Sequence, residues 1–234
     1  MKYQELMGSK HIESQKYILL VYATLYIMVA LITYALPNRE VSVFGFSSFG
    51  SALIMPAWYT LGDAITELFG IKVARFLIWM SILACFIFAV VVCIILKVPY
   101  PAGWGYEKDF NYVFAPIMKL GIISNLCVLL GAYINAYLMS HWKVLLKGRH
   151  FFLRSIGSSA IGDFTQIATV STVIYFSVAS IHQLFSIILT TYALHIVLSI
   201  IYSVPNTFFV HIVKIKTKLD SPGVSINPFK KEGG

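Results

Sequence analysis

The sequence predicts an all-α integral membrane protein with six transmembrane helices and both termini in the cytoplasm. Three observations carry that expectation. Apolar runs close to ~20 residues long, the length needed to span a ~30 Å hydrocarbon layer, recur along all 234 residues. Only 12% of residues are charged and 58% are hydrophobic, with a mean hydropathy of +0.78; soluble domains average about 25% charged. The basic residues also alternate from side to side in the manner of short cytoplasmic loops.

Taken in order, the spans are Tyr17 to Leu36, Phe49 to Gly70, Phe76 to Leu96, Pro116 to Met139, Ser158 to Ser177, and Leu184 to Val213, the last running past the bilayer. The residues before Tyr17 are polar and the first run is long enough to stay in the bilayer, so no cleavable signal peptide is expected. The second span is the least apolar. Pro56, Gly62, Asp63, Thr66 and Glu67 interrupt it, which leaves it open to breaking or partial re-entry, tolerated only against protein or a wet cavity. Between the third and fourth spans, residues 97–115 hold Pro99, Pro101, Gly103, Trp104, Gly105 and Tyr106 and read as a structured cap at the interface. Residues 1–219 form one transmembrane domain; residues 220–234, with Pro222, Gly223, Pro228 and a terminal Gly pair, read as a disordered tail.

With the N-terminus inside, only Arg39, Lys97, Lys108 and Lys119 of the 18 basic residues fall on the outer side. The net charge of +8 is thus an orientation signal, and nucleic acid is not expected as a partner. Cys85, Cys93 and Cys127 lie inside apolar runs without CxxC spacing, so neither disulfides nor a zinc site is indicated. The histidines show no H-x-x-x-H pattern and the chain has no phosphate-cradling glycine loop, so no metal, cofactor or nucleotide hydrolysis is expected.

The informative residues are polar groups at membrane depth. Asp63, Thr66, Glu67 and Gly70 stand at i, i+3, i+4 and i+7 on one helical face, where each carboxylate costs about 2.5 to 3.5 kcal/mol unless it meets protein or water. They either face a cavity or sit at the interface pairing with Lys72 or Arg75. Asp163 and Gln166 follow Arg154 and the small-residue stretch Gly157, Ser158, Ser159, Ala160, Gly162; they offer acceptors and donors together or mark a solvated helix start. Tyr192, His195, Ser199, Tyr202 and Asn206 form a stripe on the last span, read as cavity lining, with His195 able to exchange protons with neighbouring carboxylates. Gly121, Asn125, Ala132 and Ala136 on the fourth span are a packing face with Asn125 as an interhelical hydrogen bond, or part of the same lining.

The segment Leu61-Gly62-Asp63-Ala64-Ile65-Thr66-Glu67-Leu68-Phe69-Gly70, preceded by Pro56, resembles the Asp-x-x-Thr-Glu-x-x-Gly signature of the queuosine precursor transporter family, also called the vitamin-uptake-transporter (VUT) family. The resemblance continues through Ala74-Arg75, Leu130-Gly131, Arg154-Ser155-Ile156-Gly157-Ser158, and Tyr192-x-x-His195 with Pro205, and covers nearly the whole chain. Three departures stand out. Asp163 precedes Gln166 where the family places an amide first; Gly131-Ala132-Tyr133-Ile134-Asn135 replaces Gly-Gln-x-x-Asp; and His195 stands where a Lys is common. The resemblance implies a six-helix importer of 7-deazaguanine bases or queuine in the bacterial inner membrane. It makes Asp63, Thr66, Glu67 and Arg154 substrate-binding candidates, alongside Asn125, Asp163, Gln166, Tyr192 and His195 from the polar stripes, with Tyr192, Tyr202 or Trp58 as stacking surfaces.

Two other classes are compatible with the residues: a substrate-binding membrane subunit dependent on a separate energising complex, and an intramembrane hydrolase using Ser158 or Ser159 with His195. The small-residue faces also leave room for a homodimer.

Overall fold

The computed structural model describes residues 2–36, 39–43, 46–175 and 180–223. Among these, seven helices follow one another: α1 (Lys2–Ala35), α2 (Gly50–Phe69), α3 (Ile71–Ile95), α4 (Glu107–Phe114), α5 (Pro116–Leu145), α6 (Phe151–Tyr175) and α7 (Ile181–Thr217). A two-stranded antiparallel hairpin, β1 (Glu40–Val43) with β2 (Phe46–Phe49), precedes α2 and pairs Glu40 with Phe49 and Val43 with Phe46. The sequence reading missed this hairpin, and it placed Phe49 inside a span where Phe49 is instead the last strand residue and the cap of α2.

Six of the helices are long enough to cross a bilayer at 1.5 Å per residue, but only α1, α3, α5 and α7 are also apolar enough to qualify as spans. The two that fail, α2 and α6, carry the polar residues. Their position explains how that is tolerated: α2 packs against α1, α3, α5, α6 and α7, so its carboxylates meet protein rather than solvent or lipid. Burial runs inside-out relative to a soluble domain. Asp63, Glu67 and Asp163 are fully buried, while Phe76, Phe86 and Ile87 on α3 and Leu189, Val197 and Phe208 on α7 lie open. Such apolar area would drive aggregation in water and is satisfied in lipid.

Helix α2 is continuous from Gly50 to Phe69 with Pro56 inside it, so the break that the sequence left open is not present. Trp58 stacks on Tyr26 of α1 with ring centroids 4.7 Å apart and meets Tyr59 edge-on at 5.5 Å. Gly70 ends the helix rather than extending its polar face. With φ at +88° it turns the chain directly into α3, a conformation glycine adopts without the cost a side chain would carry. The residues expected as a cap between the third and fourth spans contain the short helix α4; Tyr100 stacks on Trp104 at 4.7 Å and donates its hydroxyl to Asn111 at 2.9 Å.

Helices α5 and α6 approach closely at Gly131 and Gly162. A Cβ on Gly131 would lie 2.7 Å from the Gly162 carbonyl, and one on Gly162 would lie 2.8 Å from the Gly131 carbonyl. Both neighbours are backbone and cannot yield. Gly131→Ala is therefore expected to destabilise the protein by about 1–3 kcal/mol, read as a lower thermal unfolding temperature in detergent; wild-type stability would show that the contact is looser than described.

Helix α7 starts with a capping box, Ser180 Oγ accepting from the Gln183 amide at 3.3 Å and Gln183 Oε1 accepting from the Ser180 amide at 2.9 Å. The stretch after Leu219, expected to begin the tail, brings Asp220 back onto Lys143 and Lys214. Residues 224–234 of that tail lie outside the described residues.

Candidate functional site

A cavity of about 550 Å³ occupies one half of the bundle, where α1 and α6 end and α2, α5 and α7 begin. That volume falls within the ~300–1,000 Å³ typical of small-molecule sites. Its walls combine aromatic rings, Trp58, Tyr34 and Tyr175 among them, with amides and hydroxyls from Asn125, Ser124, Gln166 and Thr191. Asn111 and Tyr112 of α4 stand at its rim, so the cap between α3 and α5 reaches over the opening.

Three of the residues singled out in the sequence line this cavity: Asn125, Gln166 and His195. Asn125 makes no side-chain hydrogen bond to another described residue, so it serves as lining rather than as an interhelical link. Gln166 accepts the Tyr59 hydroxyl on Oε1 at 2.8 Å, which fixes the amide and leaves its N–H groups without a partner among the described residues. Tyr59 is one residue that sequence reasoning missed, because its role depends on a neighbour 107 positions away. The imidazole of His195 meets Asp163 through Nδ1 and Oδ1 at 3.2 Å, and Asp163 Oδ2 is buried without a partner among the described residues.

The carboxylates themselves are turned inward but lie behind and below the cavity, not on its surface. Asp63 accepts from Asn135 Nδ2 at 2.8 Å, Ser155 Oγ at 2.6 Å and Ser159 Oγ at 3.0 Å. These donors come from α5 and α6, so Asp63 joins three helices at a point where three hydrogen bonds offset its lost hydration. Asn135 was visible only as a departure from the family motif, Ser155 only within the stretch that resembles the family, and Ser159 only as a small residue or a hydrolase nucleophile.

Glu67 belongs to a separate cluster at the opposite end of the bundle. Arg154 Nη1 reaches its Oε2 at 3.0 Å, Lys143 Nζ reaches its Oε1 at 3.3 Å, and Lys214 Nζ bonds the same oxygen. Lys143 also donates to the Glu67 carbonyl at 2.8 Å. Asp220 completes the cluster, 2.5 Å from Lys143 and 3.0 Å from Lys214. Glu67, Lys143 and Arg154 are buried. Three cations thus share two carboxylates, and α2, α5, α6 and α7 are tied together by charge. The partners expected from sequence for an interfacial Glu67, Lys72 or Arg75, are not the ones found; Arg75 instead lies over the Tyr133 ring at 5.6 Å. Lys143 and Lys214 were missed because they sit at helix ends, where sequence reading treats lysine as orientation signal only.

Asp220 is half exposed, and although partial burial pushes its carboxyl up, the hydrogen bonds and charges of Lys143 and Lys214 prevail and hold it below the ordinary 3.8. Its contribution to stability is therefore present above that value and is lost as the pH falls through the lowered pKa. Solvent screening keeps it under about 1 kcal/mol. The Asp220→Asn protein should melt slightly below wild type at neutral pH, with the difference vanishing in acid; a pH-independent difference would contradict the pairing.

Two candidates stand apart. Thr66 donates to the Gly62 carbonyl at 2.8 Å and borders a void of about 10 Å³ with Tyr26 and Asn135. Tyr192 packs edge-on against Phe164 at 5.4 Å and is not part of the cavity wall, and Tyr202 donates to the Leu53 carbonyl at 3.0 Å; of the three proposed stacking rings, Trp58 alone faces the cavity. The hydrolase arrangement is not formed either. Ser158 donates to the Ser155 carbonyl and Ser159 to Asp63, while His195 pairs with Asp163.

Apolar membrane-length helices around a polar interior, with a solute-sized cavity in one half, are the architecture of a multi-pass membrane protein. Residues 49–210 match the sequence profile of the family described as "Putative vitamin uptake transporter", and the chain belongs to that family. The family is one of transporters and not of enzymes. Comparison with curated proteins gives no significant match, and neither does comparison with solved structures.

Proposed function

We propose that this protein imports a queuosine precursor, a 7-deazaguanine base or queuine, across the bacterial inner membrane by alternating access. In this reading α1, α2, α3, α5, α6 and α7 are the six spans and both termini are cytoplasmic, which turns the cavity to the outside and the Glu67 cluster to the inside. The observation that carries the reading is the pairing of a hydrogen-bonding cavity in one half with a buried ion-pair cluster in the other. That is what one end-state of a carrier requires: access from one side, closure on the other.

The chemistry of the walls fits a flat heteroaromatic cargo. The Asn125 amide supplies both donor and acceptor and the Gln166 N–H groups supply donors, while Trp58 offers an apolar ring surface. An analogue lacking the matching ring N–H or carbonyl would leave these groups unpaired, at about 1–3 kcal/mol each. For inward release the cavity must close around the cargo and the Glu67 ion pairs must part, so the cluster acts as the inner gate.

The test is uptake of radiolabelled 7-deazaguanine bases by cells that cannot make the precursor. Accumulation, and queuosine in tRNA, should depend on this chain and fall steeply in Gln166→Ala; uptake that is the same without the protein would refute the assignment.

A further inference from the structure

Resting on the reading that the Glu67 end of the bundle is the inner gate, we infer that residues 218–223 are its latch, a strap that folds back from α7 over α2 and α5, holds the inner end shut and lifts before the buried ion pairs part. Lys218 ends α7 in the left-handed conformation, with φ at +56°, which turns the chain off the helix axis. Leu219 then packs against the apolar core, and Asp220 reaches Lys143 of α5 at 2.5 Å and Lys214 of α7 at 3.0 Å. Ser221 lies over Gly70, so close that a Cβ there would fall 2.5 Å from its hydroxyl oxygen. Gly223 lies on α5, where a Cβ would be 2.9 Å from Val144 Cγ2 and 3.1 Å from the Ser140 carbonyl. The strap thus bridges α7, the turn from α2 into α3, and α5, next to the cluster that Glu67 holds together.

The burial of that cluster is graded, and the grading sets the order in which it opens. The side chains of Glu67 and Arg154 are fully enclosed, Lys143 is 7% exposed, Lys214 23% and Asp220 54%. An enclosed pair is held until water reaches it, because separation leaves bare charges in the bundle. An exposed pair is screened and exchanges for water at little cost. Asp220 is the outermost member, on backbone that is neither helix nor strand, so it is the first to leave. Its root stays in place: Gln15 of α1 donates to the Thr217 carbonyl at 3.3 Å, and the hinge falls at Lys218.

Lifting the strap also promotes the next step. Without Asp220, the cations of Lys143, Lys214 and Arg154 share Glu67 alone, and their mutual repulsion favours separation of α5 from α7. The strap therefore works as a latch and not as a passive cover: its carboxylate offsets the excess positive charge that drives the inner end apart.

Two arms test this, both in a background with Cys85, Cys93 and Cys127 replaced. In the first, a membrane-impermeant maleimide is applied to inside-out vesicles bearing Met139→Cys, without cargo. Met139 is fully buried and its carbonyl accepts from Arg154 at 3.4 Å. Asp220→Asn should raise labelling at position 139 about threefold, and Asp220→Lys, which adds a further cation, about tenfold. Labelling unchanged by both substitutions overturns the inference. The second arm joins Val144→Cys to Gly223→Cys; replacing Val144 removes the methyl that a side chain at 223 would meet. Oxidation pins the strap to α5, and uptake of radiolabelled 7-deazaguanine should fall at least about tenfold and return on reduction. Uptake that survives complete cross-linking contradicts the latch. If the reduced protein takes up no 7-deazaguanine, the cargo assignment falls, and the latch stands or falls on position 139, whose labelling needs no cargo.

Discussion

Glu67→Ala is expected to lower the melting temperature of the detergent-purified protein steeply. The side chain is fully buried and is the anion shared by Arg154, Lys143 and Lys214. Its removal leaves three cations with only the half-exposed Asp220 between them. Breaking a buried pair by deleting one partner costs about 3–5 kcal/mol because the remaining charge is uncompensated, and that is a large share of the roughly 5–15 kcal/mol by which proteins are stable. The control is a second deletion of opposite sign. Glu67→Ala combined with Arg154→Met removes one charge of each kind and should recover part of the loss, giving a favourable coupling in a double-mutant cycle. Additive losses in detergent melts would show that Glu67 and Arg154 act independently, against the geometry.

The second large effect is expected at Asp63. Alanine there leaves the Asn135 amide and the Ser155 and Ser159 hydroxyls without their acceptor. Each unsatisfied buried group costs about 1–3 kcal/mol, although the Ser155 hydroxyl can turn toward Ser203 Oγ, 3.5 Å away. Asparagine keeps one acceptor oxygen and substitutes an NH₂ for the other. The melting temperature should therefore fall from wild type to Asp63→Asn and further to Asp63→Ala; equal stability of all three would remove Asp63 as the joint of α2, α5 and α6.

The helical class and the location of the long helices were legible because a run of about twenty apolar residues matches the thickness of a bilayer and is longer than a strand or a soluble core helix needs. The Asp63 to Glu67 face was legible because two carboxylates in an apolar helix cannot be accidental at their cost. What could not be read was how that face divides. Four residues apart on one helix, Asp63 and Glu67 enter different clusters, one joined to Asn135 and two serines and the other to Arg154 and two lysines. Helical periodicity gives the shared face but not the depth at which each neighbour's donors arrive. Gln166 and His195 were found by their stripes, whereas Tyr59, Lys143 and Lys214 act through contacts distant in sequence, for which periodicity has no signal. The hairpin before α2 was missed because its eight residues sit in a connection that apolar length alone does not resolve.

The placement of the cavity and the charge cluster at opposite ends makes the most direct test one of side-specific access. In a background with Cys85, Cys93 and Cys127 replaced, a membrane-impermeant thiol reagent applied to the outside of intact cells should label Asn125→Cys, on the cavity wall, and not Ser155→Cys, which lies fully buried beside Asp63. Transported cargo should slow labelling at position 125. Equal labelling of both positions, or labelling of 125 only from the cytoplasmic side, would contradict a carrier open outward and sealed within by Glu67.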